Sequence, residues 1–204
     1  MNSILQKLGI LILLFCAFAT RAQEEIKLLG ELPSDVAETS GLIYFNGVLI
    51  THNDSGNEPI LYELDTLNLT IKRSVRISNV ENTDWEAISQ DEDFIYIGDF
   101  GNNLGTRRDL AVHKISKQAY LDSDEVVATT INFSYVDQTD FSNNGNSDWD
   151  AEAFFVLADQ LIILTKQWQS QGSVAYTVPK EPGTYVASKL GTIENIGLVT
   201  DASY

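Results

Sequence analysis

Apolar and polar positions along the chain fall into short alternating blocks rather than helical stripes. Runs of four to eight β-branched, aromatic and aliphatic residues recur between clusters of Asn, Asp and Gly: LIYF, VLIT, TIKRSVRI, FIYIG, LAVHKI, TTINFSYV, LIILT and VAYTV. Runs of this length bounded by turn residues predict β-strands, and helix signals are nearly absent, so the pattern predicts an all-β chain.

The strands repeat. A five-residue pattern returns four times, as Glu38-Thr-Ser-Gly-Leu42, Asp84-Trp-Glu-Ala-Ile88, Asp150-Ala-Glu-Ala-Phe154 and Thr200-Asp-Ala-Ser-Tyr204, at spacings of 46, 66 and 50 residues. Thirteen residues after Ser40, Glu86 and Glu152 stand Asn53, Asp99 and Thr165, each closing an apolar run. Residues facing each other in an antiparallel hairpin have a constant index sum. The pairs Ser40 with Asn53, Glu86 with Asp99 and Glu152 with Thr165 therefore place turns at Asn46-Gly47, Glu92-Asp93 and Ala158-Asp159, and Asn-Gly is a strong two-residue hairpin turn. A third run (PILYELD, DLAVHKI, SVAYTV) and a fourth (LTIKRSVRI, ATTINFSYV, ASKLGTI) follow each hairpin.

Four strands per repeat at a period of about 40 to 50 residues predict a β-propeller of four-stranded antiparallel blades. About three blades are present, which predicts the N-terminal part of a ring expected to be six-bladed. Residues near Lys27–Leu42 are expected to supply the outermost strand of its last blade, and Thr200–Tyr204 to begin a fourth inner strand. A complete small β protein of three sheets is the alternative. In a propeller the first strand of each blade is innermost, so the acids at the hairpin ends are expected on one rim of a central channel.

Residues 1–22, MNSILQKLGILILLFCAFATRA, carry Lys7, an apolar run from Leu8 to Ala19 and small residues before Gln23, the pattern of a secretory signal peptide. The expected organisation is therefore a signal peptide over 1–22 and a partial propeller domain over 23–204, secreted or held at the cell surface. No later run approaches the roughly 20 apolar residues of a membrane span. Cys16, the one cysteine, falls inside the leader, so disulfides are not expected to stabilise the remainder. Removing Lys7 and Arg21 lowers the basic count from 13 to 11 against 29 acids, a formal charge of −18. Such a charge disfavours nucleic acid and anionic membranes as partners.

The acids at the predicted rim change the picture further. Asp54, Asp84, Glu86, Asp99, Asp150 and Glu152 are the candidate metal ligands, with Asn53 beside them, since Ca²⁺ takes six to eight oxygen ligands of this mixed kind. Capping of strand ends through the backbone is the competing role for the same residues. His52 is a candidate base or phosphate contact, and Lys166 and Arg107 are candidate contacts for an anion beside the metal. The loop from Asp137 to Glu152 fails the register of a calcium loop, because position twelve counted from Asp140 is Ala151. Trp85, Trp149 and Trp168 are expected to pack between blades.

The motifs ETSGL with THNDSGN, DWEAI with YIGDFGNN, and DWDAEAF with LIILTK resemble those of secreted bacterial β-propellers grouped loosely with phytase-like and esterase-like proteins, many of them from the Bacteroidetes. The resemblance covers most of 23–204. It implies rim carboxylates that hold Ca²⁺ and basic residues that hold phosphate. Two functions are then expected: an exported propeller binding Ca²⁺ or a small-molecule, glycan or protein ligand at the rim, or a Ca²⁺-dependent hydrolase of phosphoric esters.

Overall fold

The computed structural model describes residues 28–143 and 145–204. The expected signal peptide lies outside the described residues. The chain divides into units 1–30 and 31–204, and every strand among the described residues lies in the second.

The chain is all-β, with thirteen strands among the described residues. Strands β1 (Thr39–Phe45), β2 (Val48–Asn53), β3 (Ile60–Leu64) and β4 (Ile71–Ile77) pair antiparallel in that order. Strands β5 (Trp85–Gln90), β6 (Phe94–Asp99), β7 (Leu110–Ser116) and β9 (Thr129–Tyr135) do the same, as do β10 (Ala151–Leu157), β11 (Gln160–Thr165), β12 (Ser173–Pro179) and β13 (Gly183–Ile193). The two-residue β8 (Glu125–Val126) runs parallel beside β4, completing a five-stranded sheet. A parallel pairing of β13 with β9 joins the second and third groups into one eight-stranded sheet. Its two edges, β10 and β5, lie alongside each other, so this sheet nearly closes on itself. β1 lies on the other side of β5, which brings the first strands of all three groups together.

The turn chemistry explains the hairpins. Asn46 and Gly47 both have positive φ (49° and 83°), as a type I′ turn requires. Asp91 holds the second turn by accepting the backbone N–H groups of Asp93 (3.0 Å) and Phe94 (2.9 Å) on its side chain. Ala158 takes positive φ (54°) in the third.

Two cores flank the second group. Ile50, Leu61, Val75, Ile77, Trp85 and Ile97 lie in one, and Tyr96, Phe100, Phe133, Phe154 and Ile163 in the other. β6 contributes Ile95 and Ile97 to the first and Tyr96 to the second. A strand buried on both faces needs an uninterrupted apolar run, and FIYIG is one. Trp85 is wholly buried between the first and second groups and Trp149 packs on the second core against Tyr135. Trp168 instead stands at the strand ends, where its Nε1 donates to Asp150 (2.7 Å).

Three features depart from the sequence reading. A short helix α1 (Lys117–Asp122) interrupts the second group, started by Ser116, whose hydroxyl accepts the N–H of Ala119 at 3.5 Å. Among the described residues no strand precedes β1, where an outer strand was expected; a single 3₁₀ turn, Ser34–Val36, stands there instead. Thr200–Tyr204 forms no strand either, and Tyr204 stacks on Phe155 of β10 with ring centres 6.2 Å apart.

Because Ile97 is fully buried between strands of two groups, Ile97→Ala should lower the unfolding free energy by about 2–5 kcal/mol. Leu67→Ala, at a position 91% exposed, should change it by less than about 0.5 kcal/mol. Urea denaturation followed by Trp fluorescence measures both.

Candidate functional site

The three hairpins share an irregularity at one end. Register shifts fall between Ser40 and Leu42, between Trp85 and Ala87, and between Ala151 and Ala153, leaving Gly41, Glu86 and Glu152 as bulged residues. The expected direct pairs are therefore displaced by one: Asn53 faces Thr39, Asp99 faces Trp85 and Thr165 faces Ala151. A bulge opposes two residues to one and re-aims the side chain it carries. It thus separates Glu86 from Asp99, which the regular hairpin would pair. Gly41 has φ +72°, and a Cβ there would stand 2.8 Å from the backbone nitrogen of Ile88, so the approach of β5 to β1 requires glycine.

Asn82 brings the hairpin ends together. Its side-chain amide donates to the carbonyls of Asn53 (3.0 Å) and Asp54 (2.8 Å), and its Oδ1 accepts the N–H of Trp85 (3.1 Å). Ser40 adds a hydroxyl donated to the carbonyl of Glu86 at 2.7 Å. The result places one carboxylate oxygen each of Asp54, Asp84 and Glu86 within 4.8 Å of one another. Gly101 backs them, and a Cβ at that position would collide with the carboxylates of both Asp84 and Glu86. Burial, then the neighbouring Asp54, pushes the Asp84 carboxyl up to about 6. Burial, with Asp54, Glu152, Asp84 and Asp150 around it, pushes Glu86 up to about 9.

The other candidate ligands are engaged within the protein. Asp99 accepts the N–H of Asp84 (3.0 Å) and the guanidinium of Arg107 (2.9 Å), and its second oxygen lies 3.5 Å from His113 Nε2. Burial raises this carboxyl, but His113 and Arg107 outweigh it and hold Asp99 below the usual carboxylate range. Asp150 is fully buried and accepts the N–H of Asn102 (2.7 Å) besides Trp168 Nε1. Glu152 pairs with Lys166, although burial still lifts its carboxyl.

The candidate catalytic residues are likewise placed away from an open role. Arg107 binds Asp99, Asp109 (3.1 Å) and the carbonyl of Gly101 (3.0 Å). Lys166 is held by Glu152 and lies 4.2 Å from the Trp168 ring. His52 is fully buried, its Nδ1 3.0 Å from the carbonyl of Asn53 and its ring edge-on to Trp85 at 5.6 Å. Burial pushes its imidazole down to about 4, so it is neutral at pH 7 and out of reach of solvent. Asp140 accepts the N–H (2.9 Å) and hydroxyl (2.7 Å) of Ser142, a local turn within the long loop. Sequence reasoning missed Asn82 and Gly101. The signals were an Asn three residues before Trp85 and a Gly two residues after Asp99.

No protein-family model and no curated protein matches the chain. Among solved structures, the chain is similar to the computationally designed Ika4 protein, at 9% identity over 88% of this chain and 87% of that chain, with a TM-score of 0.43. It is also similar to hydrazine synthase of Kuenenia stuttgartiensis, at 11% identity over 84% of this chain and 52% of that chain, with a TM-score of 0.37. Likenesses this distant carry no argument about the site, which rests on its own residues.

A carboxyl raised by folding favours the folded state while it is protonated. The stability that Glu86 contributes is complete below its ordinary value of 4.5 and is lost as pH rises towards 9. His52, lowered from 6.5, works in the opposite direction: its contribution is complete above 6.5 and is lost as pH falls through 4. In metal-free buffer the melting temperature should therefore fall between about pH 7 and pH 9. In Glu86→Gln that alkaline fall should flatten, and a fall of unchanged steepness would show that Glu86 is not its source.

Proposed function

We propose that the chain is part of an exported β-propeller that binds Ca²⁺ through Asp54, Asp84 and Glu86. The propeller reading is supported by three antiparallel groups of four strands with their first strands side by side, and by the repeat that generates them. Export rests on the leader-like pattern of residues 1–22.

One observation carries the metal reading. Among the described residues, Asp84 and Glu86 make no side-chain hydrogen bond or ion pair, while Arg107 and Lys166 beside them are committed to Asp99 and Glu152. Converging carboxylates need protons or a cation, and a hard divalent ion with oxygen ligands meets that need. Three carboxylates provide part of the six to eight oxygens that Ca²⁺ takes, and carbonyls or water complete such shells. The hydrolytic alternative would place Lys166 or Arg107 on a phosphate, and their engagement by carboxylates favours binding over phosphoric-ester hydrolysis.

Calorimetric titration and thermal melting with Ca²⁺ test the proposal. A ligand that binds the folded state alone stabilises it by about 2.7 kcal/mol at a hundredfold excess over Kd. The melting temperature should rise with Ca²⁺ and return on chelation. The Asp84→Asn, Glu86→Gln double variant should melt no lower than the parent in chelator and should not respond to Ca²⁺. A parent insensitive to millimolar Ca²⁺, or a double variant that responds as the parent does, would overturn it.

A further inference from the structure

The segment after β6 and the ends of β7 and β9 enclose a cavity of about 230 Å³ that takes no part in the Ca²⁺ reading. Leu110 of β7, Phe133 of β9 and Phe141 of the long loop form its apolar wall, and Arg107, Arg108, Tyr135 and Gln138 bring polar groups to it. Its frame is tied at two points. Gln138, 7% exposed, donates its side-chain amide to the carbonyl of Gly105 at 2.9 Å, and the N–H of Arg107 donates to Asn102 Oδ1 at 2.9 Å. Although the chain carries 29 acids, none lines this cavity.

Arg108 is its unsatisfied group. Every other lysine and arginine among the described residues donates to a carboxylate or a carbonyl. Arg108 does neither: its guanidinium lies over the Phe141 ring, 3.6 Å from the centroid, which holds its plane and leaves its N–H groups unpaired. Arg107 beside it is already neutralised by Asp99 and Asp109. A second donor stands in the same wall. Tyr135 is 3% exposed, and its hydroxyl has no hydrogen-bond partner among the described residues, a costly state for a buried polar group.

A cation in this cavity would meet Arg108 with no counter-charge. A neutral apolar guest would cover Leu110 and Phe133 and leave both donors unmet. Inorganic phosphate would pair with the guanidinium and leave the apolar wall wet. We propose that the cavity binds a small organic carboxylate, its oxygens held by the Arg108 guanidinium and the Tyr135 hydroxyl and its body packed on Leu110, Phe133 and Phe141. The volume falls below the roughly 300–1,000 Å³ of drug-sized sites, so the guest is compact. Arg108 is exposed, which opens the site to solvent on that side. The net negative charge of the chain opposes any anion, so binding depends on these local donors. The assignment shares no residue with Asp54, Asp84 and Glu86 and stands without the metal.

Isothermal titration of the purified chain with sodium benzoate tests it, with benzamide as the neutral probe of the same shape, inorganic phosphate as the anion without an apolar body, and EDTA present throughout. Benzoate should saturate one site, roughly tenfold or more tighter than either comparator. Arg108→Gln should weaken benzoate by roughly tenfold or more, and Tyr135→Phe by about threefold or more, with melting curves showing both variants folded. No saturable benzoate binding, benzamide or phosphate binding as tight as benzoate, or full benzoate affinity in Arg108→Gln or in Tyr135→Phe would each overturn the assignment. Because EDTA excludes metal, failure here and failure of the Ca²⁺ titration are read separately.

Discussion

Buried negative charge is the constraint on which this end of the structure depends. A carboxylate withdrawn from water must find donors, a cation or a proton, and the hairpin ends show each solution. Asp99 takes the Arg107 guanidinium and the N–H of Asp84. Asp150 takes the N–H of Asn102 and the indole of Trp168. Glu152 takes Lys166. Two of these solutions also fix a loop: Arg107 draws the segment after β6 back over Gly101, and Trp168 ties the segment after β11 to the start of β10. Asp84 and Glu86 are what remains, beside a half-buried Asp54 whose carboxylate, among the described residues, accepts only the N–H of Ser55 at 2.5 Å, and they remain because Arg107 and Lys166 are spent on Asp99 and Glu152.

That remainder is held in place by packing rather than by its own bonds. Trp85 lies fully buried between Asp84 and Glu86 in the chain, with His52 on one side and His113 at 6.1 Å on the other. The two acids flank an anchored ring, which fixes the backbone from which both side chains project. Asn82 and Gly101 complete the enclosure, one tying Asp54 to the same segment and the other letting backbone approach the carboxylates. Charges held together in this way oppose folding. Such unfavourable clusters concentrate where proteins bind or react.

The bulge at Glu86 connects this cluster to the first sheet. A regular hairpin would set Glu86 opposite Asp99, within reach of Arg107. The extra residue turns it instead towards Asp54 and a cavity lined by Leu42, Leu49 and Leu64 of the first sheet.

The sequence by itself determined the all-β class, twelve of the thirteen described strands and the three hairpin turns, because these follow from apolar runs and turn residues that a reader can align; their joining into sheets of five and eight strands came from the parallel pairings of β8 with β4 and β13 with β9. It also located the acids at one end of the hairpins, since a strand carries its terminal residues wherever it goes. The bulges were not legible: Ser40, Glu86 and Glu152 align by sequence, but a one-residue insertion in pairing depends on how β1, β5 and β10 pack on one another. Tertiary structure also decided the fate of His52, polar in sequence yet enclosed against Trp85. It decided which acids are satisfied as well, because Arg107 reaches Asp99 and Lys166 reaches Glu152 across turns whose path no local pattern encodes. Hydrophobic period and turn chemistry are local and survive in the sequence. The pairing of charges is a competition among groups brought together by folding, and it is settled only where they meet.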